Sequence, residues 1–161
     1  MQVYSQRGEG STFTAYLPVE DAGSDTEQVT RAAVEFRGQG ETLLLVDDEA
    51  AIREMGSTVL QRLNFNPLTA TDGTDGLMQV AQHRSELCAV ITDLHMPHMD
   101  GLAFVRVLRR ILPDIPVLVA SGRMEDAVAE EFKTLGVTAR LDKPFTEAQL
   151  MQALRKLLAP D

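Results

Sequence analysis

Cysteine is almost missing from this chain. Cys88 stands alone, so no internal disulfide framework holds the fold together. It opens an apolar stretch and reads as a small core thiol. Positive charge is also scarce. The 15 Lys and Arg residues face 24 Asp and Glu, which leaves a net charge of −9. A chain that grips a phosphate backbone needs a basic face, so nucleic acid is not an expected partner. No apolar run approaches the roughly 20 residues of a membrane span. The segment Met1–Gly10 is polar and has no apolar signal-peptide core. No direct membrane contact is expected, and the cytoplasm is the expected compartment. What is present is 44% hydrophobic residues, enough for a real core, and 24% charged residues, ordinary for a globular protein. The length of 161 residues suits one domain and an appendage.

The texture changes along the chain. Residues 1–18 read as a hairpin fragment, with Ser11–Leu17 alternating, Val3-Tyr4-Ser5 as the partner strand and Gln6–Gly10 as a glycine-bearing turn. Such a hairpin is marginal alone in water. Residues 19–40 are polar and acidic (Glu20, Asp21, Asp25, Glu27) and read as a linker, transiently helical over Glu27–Arg37. Residues 41–159 alternate regularly between strand and helix. Strands are expected at Thr42–Val46, Asn66–Ala70, Cys88–Thr92, Pro116–Ala120 and Val137–Leu141. Helices are expected at Glu49–Leu63, Thr74–Arg84, Leu102–Leu112, Glu125–Leu135 and from Thr146 to Leu158. Thr146-x-x-Gln149 forms a capping box at the start of the last helix. Five strand–helix units with short connections predict an α/β fold, a doubly wound five-stranded parallel sheet. The order 2-1-3-4-5, the flavodoxin-like (βα)5 arrangement, is one of the two common solutions.

Charged residues sit where these strands stop. The first strand runs into Asp47-Asp48, the third into Asp93, and the fifth into Asp142-Lys143-Pro144. The fourth runs into Ser121-Gly122. Open α/β sheets carry their chemistry at the carboxyl ends of the strands. In the order 2-1-3-4-5 the first and third strands are neighbours, so Asp47, Asp48 and Asp93 share one crevice. Three carboxylates at short range repel, and Mg²⁺ is the natural counter-ion. Lys143 supplies a fixed cation, the Ser121 hydroxyl a donor to a phosphoryl oxygen, and Gly122 room for close backbone approach. Asp93 is the carboxylate placed to act as nucleophile and form an aspartyl phosphate. Taken singly, each is an ordinary cap, turn or solvated loop residue. Together, at the ends of four strands of one pattern, they mark a single site.

These residues carry a resemblance. Leu45-Val46-Asp47-Asp48-Glu49, the stretch Ile91-Thr92-Asp93-Leu94-His95-Met96-Pro97-His98-Met99-Asp100-Gly101, Ala120-Ser121-Gly122, and Leu141-Asp142-Lys143-Pro144-Phe145 closely resemble the receiver domain of two-component signalling. The resemblance runs from Thr42 to Leu158. It implies that Asp93 is the phospho-acceptor in a phosphorelay. It implies that Asp48 and Asp93 bind Mg²⁺ directly, with the backbone carbonyl of His95 as a third ligand and Asp47 acting through water. Ser121 and Lys143 then contact the phosphoryl group, and Lys143–Pro144 is a candidate cis bond. The implied donor is the phosphohistidine domain of a histidine kinase. A histidine phosphotransfer protein is a second partner, for onward transfer.

Residues Val3–Pro18 resemble something else, the final hairpin of a histidine-kinase ATP-binding domain. On that resemblance the chain is the C-terminal end of a hybrid sensor kinase. The boxes that bind ATP are not in it, so no kinase activity is expected, and no output module is read after the last helix. Two features depart from the receiver pattern. Arg140 occupies the place of the usual aromatic switch, which predicts only a small phosphorylation-dependent change around the fifth strand. His95 and Arg123 flank the site and can shield the phosphoryl group, or be plain solvated side chains. His95 and His98 lack a third histidine and are not expected to hold a metal. The face formed by the fifth strand with helices Glu125–Leu135 and Gln149–Leu158 is the expected docking surface. Two other readings stay open. One is a receiver-like interaction module that is never phosphorylated. The other is an Asp-nucleophile phosphohydrolase, a class that usually has a second carboxylate where this chain has His95.

Overall fold

The computed structural model describes residues 2–6, 10–14, 37–137 and 139–158. The chain divides into two units, Met1–Arg31 and Ala32–Asp161. In the first, β1 (Gln2–Gln6) pairs antiparallel with β2 (Gly10–Thr14), with Val3 opposite Phe13 and Gln6 opposite Gly10. Gly10 has a φ of +98°, in the left-handed region open to glycine. Residues 7–9 of the expected turn, the end of the second strand at 15–17, and the expected helix over Glu27–Arg37, apart from Arg37 itself, lie outside the described residues.

The second unit is an open sheet of five parallel strands. These are β3 (Thr42–Val46), β4 (Asn66–Ala70), β5 (Leu87–Asp93), β6 (Val117–Ser121) and β7 (Ala139–Asp142). Their spatial order is β4-β3-β5-β6-β7, the 2-1-3-4-5 order that the strand–helix alternation predicts. Between the strands run α1 (Ala50–Arg62), α2 (Gly73–His83), α3 (Gly101–Ile111) and α4 (Asp126–Thr134), and α5 (Glu147–Leu158) follows β7. Boundaries differ from the sequence expectation by a residue or two, as they do where caps and frayed ends meet. Residues 38–40, read as linker, are tied to the turn after α1: Gly38 N–H donates to Leu63 O at 2.8 Å, and Gly40 N–H to Asn64 O at 3.0 Å.

Strict alternation inside continuous apolar strands gives the sheet two buried faces. Leu44, Val46, Val90 and Val119 point to one, where Val80 of α2, Phe104 and Leu108 of α3 and Phe132 of α4 cover them. Leu43, Leu45, Ile91 and Leu118 point to the other, under Val59 and Leu60 of α1 and Leu150 and Leu154 of α5. Cys88 is half-buried at the margin of this second cluster rather than inside it. Burial raises its thiol pKa, with the Glu41 carboxylate adding to the effect. At α5 the capping box closes in both directions. Thr146 N–H donates to Gln149 Oε1 at 2.8 Å, and Gln149 N–H donates to Thr146 Oγ1 at 3.3 Å.

Asp72 caps α2. One of its oxygens accepts from Thr74 N at 2.8 Å and from Asp75 N at 2.9 Å, and the other lies 3.0 Å from His98 Nδ1. The Asp75 N–H, above all, holds the Asp72 carboxyl below its usual 3.8, with the His98 contact assisting. A depressed folded-state value adds stability that is present above pH 3.8 and is lost as pH falls through the folded value. Asp72→Ala is therefore expected to lower stability by about 1 kcal/mol at pH 7. The gap from wild type should close as the pH is taken below 3.8, which urea titrations across that range will read.

Candidate functional site

The parallel ladder continues past the ends of β3, β5 and β7 and so aims the residues there. Asp47 N–H donates to Ala70 O at 3.1 Å, Leu94 N–H to Ala120 O at 3.1 Å, and Lys143 N–H to Ser121 O at 3.0 Å. Asp47, Asp93 and Lys143 are thereby placed along one edge of the sheet. Oxygens of Asp47, Asp48 and Asp93 lie within 4.8 Å of one another. Asp47 is 1% exposed and Asp93 6% exposed, while Asp48 faces solvent.

Lys143 reaches into this cluster. Its Nζ lies 2.7 Å from Asp47 Oδ2, 3.0 Å from Asp93 Oδ2 and 3.8 Å from Glu49 Oε1. The remaining oxygens of the buried pair are held by backbone: Asp47 Oδ1 accepts from Glu49 N at 2.9 Å, and Asp93 Oδ1 from Leu94 N at 2.7 Å. Burial pushes the Asp47 carboxyl above its usual value, and the Lys143 hydrogen bond offsets only part of that. Burial alone would lower the Lys143 ammonium, but its bonds to Asp47 and Asp93 outweigh it and hold the pKa above the usual lysine value. Three carboxylates against one ammonium leave the cluster anionic, with an all-oxygen donor set. That set fits a hard divalent cation, which neutralises charge without needing a closed protein cage.

The other expected residues are placed unequally. Ser121 is fully buried, and its hydroxyl donates to Arg123 O at 3.0 Å rather than to a carboxylate. His95 and Arg123 are exposed beside the loops of the site. His98 is drawn to Asp72 at the start of α2. Arg140 is exposed, and its Nε donates to Asp142 Oδ1 at 2.8 Å. The Lys143–Pro144 bond is cis.

Two residues that touch the backbone of the site escape a reading by strand ends. Gly101 N–H donates to Leu94 O at 2.9 Å, and a Cβ on Gly101 would collide with the Asp93 carbonyl oxygen. The loop from β5 to α3 thus folds back on the backbone of Asp93, and Asp100 caps α3 by accepting from Ala103 N at 2.8 Å. The signal was the Asp-Gly pair before a helix, which reads as a cap but does not reveal the close approach. The second is Arg53, whose guanidinium binds the main chain of Asp47 and Asp48. Nothing in helical periodicity distinguishes it from a solvated arginine.

Residues 43–155 match the family model described as the response regulator receiver domain. The chain is 33% identical to the sensor kinase CckA of Brucella abortus over 162 residues, which covers 96% of this chain and 17% of that protein. It is 37% identical to the response regulator MprA of Mycobacterium ulcerans over 121 residues, 72% of this chain and 49% of that one. The chain thus spans half or less of these two curated relatives. The chemotaxis response regulator CheY4 of Vibrio cholerae superposes with a TM-score of 0.68 at 32% identity, covering 74% of this chain and all of that one. Among the described residues, no helix is long and apolar enough to cross a membrane.

Removing the shared cation should expose how much of the burial it supports. Lys143→Met leaves the buried Asp47 and Asp93 without their counter-charge, a change expected to lower stability by about 3 kcal/mol at pH 7 without added metal. The deficit should shrink toward pH 4, because burial raises the Asp47 carboxyl and protonating it removes a charge that Lys143 had paired. Paired urea titrations at the two pH values provide the check.

Proposed function

Because the chain belongs to the response regulator receiver domain family of two-component signalling, we propose that Asp93 takes a phosphoryl group from the phosphohistidine of a histidine kinase. One observation carries this reading. Lys143 holds Asp93 and Asp47 together at the point where three carboxylates meet, so a nucleophilic oxygen, a cation and an anionic pocket coincide. In the transfer, an Asp93 oxygen forms the new P–O bond as the histidine P–N bond breaks. The histidine nitrogen keeps the electron pair and takes a proton from solvent.

The roles follow from the contacts. Leu94 N–H fixes Asp93 Oδ1, which leaves Oδ2, the oxygen facing Lys143, to attack. Lys143 then follows the negative charge from carboxylate to phosphoryl oxygen. The Ser121 hydroxyl has a single proton, so it contacts the phosphoryl group by giving up its bond to Arg123 O. Asp48, Asp93 and the His95 carbonyl would hold Mg²⁺ directly and Asp47 would hold it through water, and the ion would supply neutralising charge for the phosphoryl group. Catalysis of this kind rests on positioning and electrostatics.

Arg140 is exposed and paired with Asp142, and a guanidinium is costly to bury without a partner, unlike an aromatic ring. This supports a phosphorelay intermediate whose fifth strand changes little on phosphorylation, with a histidine phosphotransfer protein as the onward acceptor. In this reading residues 1–18 are the last hairpin of a kinase ATP-binding domain, 19–40 a linker and 41–159 the receiver of a hybrid sensor kinase acting in the cytoplasm. Similarity to the Brucella sensor kinase along 96% of the chain supports that context.

Incubation with acetyl phosphate and Mg²⁺, followed by intact mass, is expected to show a single adduct of about 80 Da, one phosphoryl group. The adduct should vanish in Asp93→Asn and without Mg²⁺. Sustained multiple-turnover phosphate release would point instead to an Asp-nucleophile phosphohydrolase. The absence of any adduct would point to an unphosphorylated interaction module.

A further inference from the structure

Arg53 lies on the first turns of α1, outside the set of residues that meet at Asp93. Its Nη1 donates to the Asp47 carbonyl oxygen at 2.7 Å and to the Asp48 carbonyl oxygen at 2.9 Å. That nitrogen carries two hydrogens, one for each carbonyl. The two carbonyls belong to consecutive peptide planes. Between rigid planes the only soft torsions are φ and ψ of the residue that joins them, here Asp48. A donor bridging both oxygens therefore locks the backbone of Asp48. The bridge closes on itself, because Arg53 N–H also donates to Glu49 O at 3.1 Å, one residue further along.

The arrangement matters because the two acidic residues are held differently. The Asp47 carboxylate is fixed by Lys143 and by Glu49 N–H. The Asp48 carboxylate is exposed, and among the described residues no hydrogen bond holds it. Only its backbone orients it. We propose that Arg53 is a positioning residue for the cation site, which presets Asp48 by clamping the peptide planes on either side of it. This rests on the reading of Asp48 as a direct Mg²⁺ ligand. Supporting groups behind a metal ligand commonly contribute 10–100-fold in affinity, and the expected loss here is about tenfold.

The sign of the effect separates positioning from simple charge. A guanidinium acting only as a nearby positive charge repels Mg²⁺, so its removal would tighten binding. A clamp predicts the reverse. The test uses the full chain as wild type, Arg53→Met and Asp48→Asn, with Mg²⁺ affinity measured by calorimetry and by Mn²⁺ competition in paramagnetic resonance. Arg53→Met keeps the aliphatic stem and removes the donors. It should bind Mg²⁺ about tenfold more weakly. The Mg²⁺ concentration for half-maximal phosphorylation by acetyl phosphate should rise by the same factor, with the saturating rate little changed. A structural role alone would lower the melting temperature and leave Mg²⁺ affinity at 25 °C untouched. Unchanged or tighter binding by a folded Arg53→Met, beside lost binding in Asp48→Asn, overturns this inference and spares the site. Wild-type affinity in Asp48→Asn, or no binding by wild type, overturns the site and the inference together. If the amide spectrum of Arg53→Met is not that of a folded chain, Arg53→Gln is read by the same criteria.

Discussion

One ammonium stands between two buried carboxylates, and the working edge of the sheet is arranged around it. Lys143 follows β7, yet its nitrogen meets Asp47 after β3 and Asp93 after β5. Removing charges from water is costly unless they are paired and hydrogen-bonded. Here every oxygen of the buried pair has a partner: Lys143 takes one from each, and main-chain N–H groups take the others. The link reaches across β5 and β6, so it depends on how β3, β5, β6 and β7 lie side by side in the sheet. Strand order and site chemistry are therefore one constraint.

The loops around that ammonium are bound to helix starts rather than left as free connections. The turn into α1 is bridged by Arg53, and the turn into α3 is folded back at Gly101. The start of α2 is fastened to the middle of the β5–α3 loop by the Asp72–His98 contact and by Gly73 N–H, which donates to Met99 O at 3.1 Å. His98 takes a φ of +60° there, an uncommon backbone state for a residue with a side chain. Orphan donors at helix N-termini thus meet loop acceptors and caps, and the same bonds that end the orphaning also hold the site loops.

Much of this was legible in the sequence for plain reasons. Continuous apolar strands, helices at 3.6-residue spacing and short connections left few topologies, and the charged strand ends marked the edge that carries the chemistry. Thr146 and Gln149 were readable as a reciprocal cap because both partners are local. Non-local bonds were not readable. That Ser121 turns its hydroxyl to Arg123 depends on a rotamer, and that Arg53 reaches back to two carbonyls depends on where α1 begins relative to the strand. Cys88 looked like core because it opens an apolar run. Its position near the start of β5 puts it at the margin of the packed layer, half-covered.

Gly101 has a consequence for how this sequence can change. A Cβ on that residue would strike the Asp93 carbonyl oxygen, so the obstacle is the same for every side chain. Each amino acid reachable from a glycine codon by one base change carries a Cβ. No conservative neighbour exists at this position, and no distant compensation removes the collision short of moving the peptide that bears Asp93. The site is thus shielded from gradual drift at residue 101: variation there is all or nothing, and a lineage can leave glycine only by rebuilding the loop.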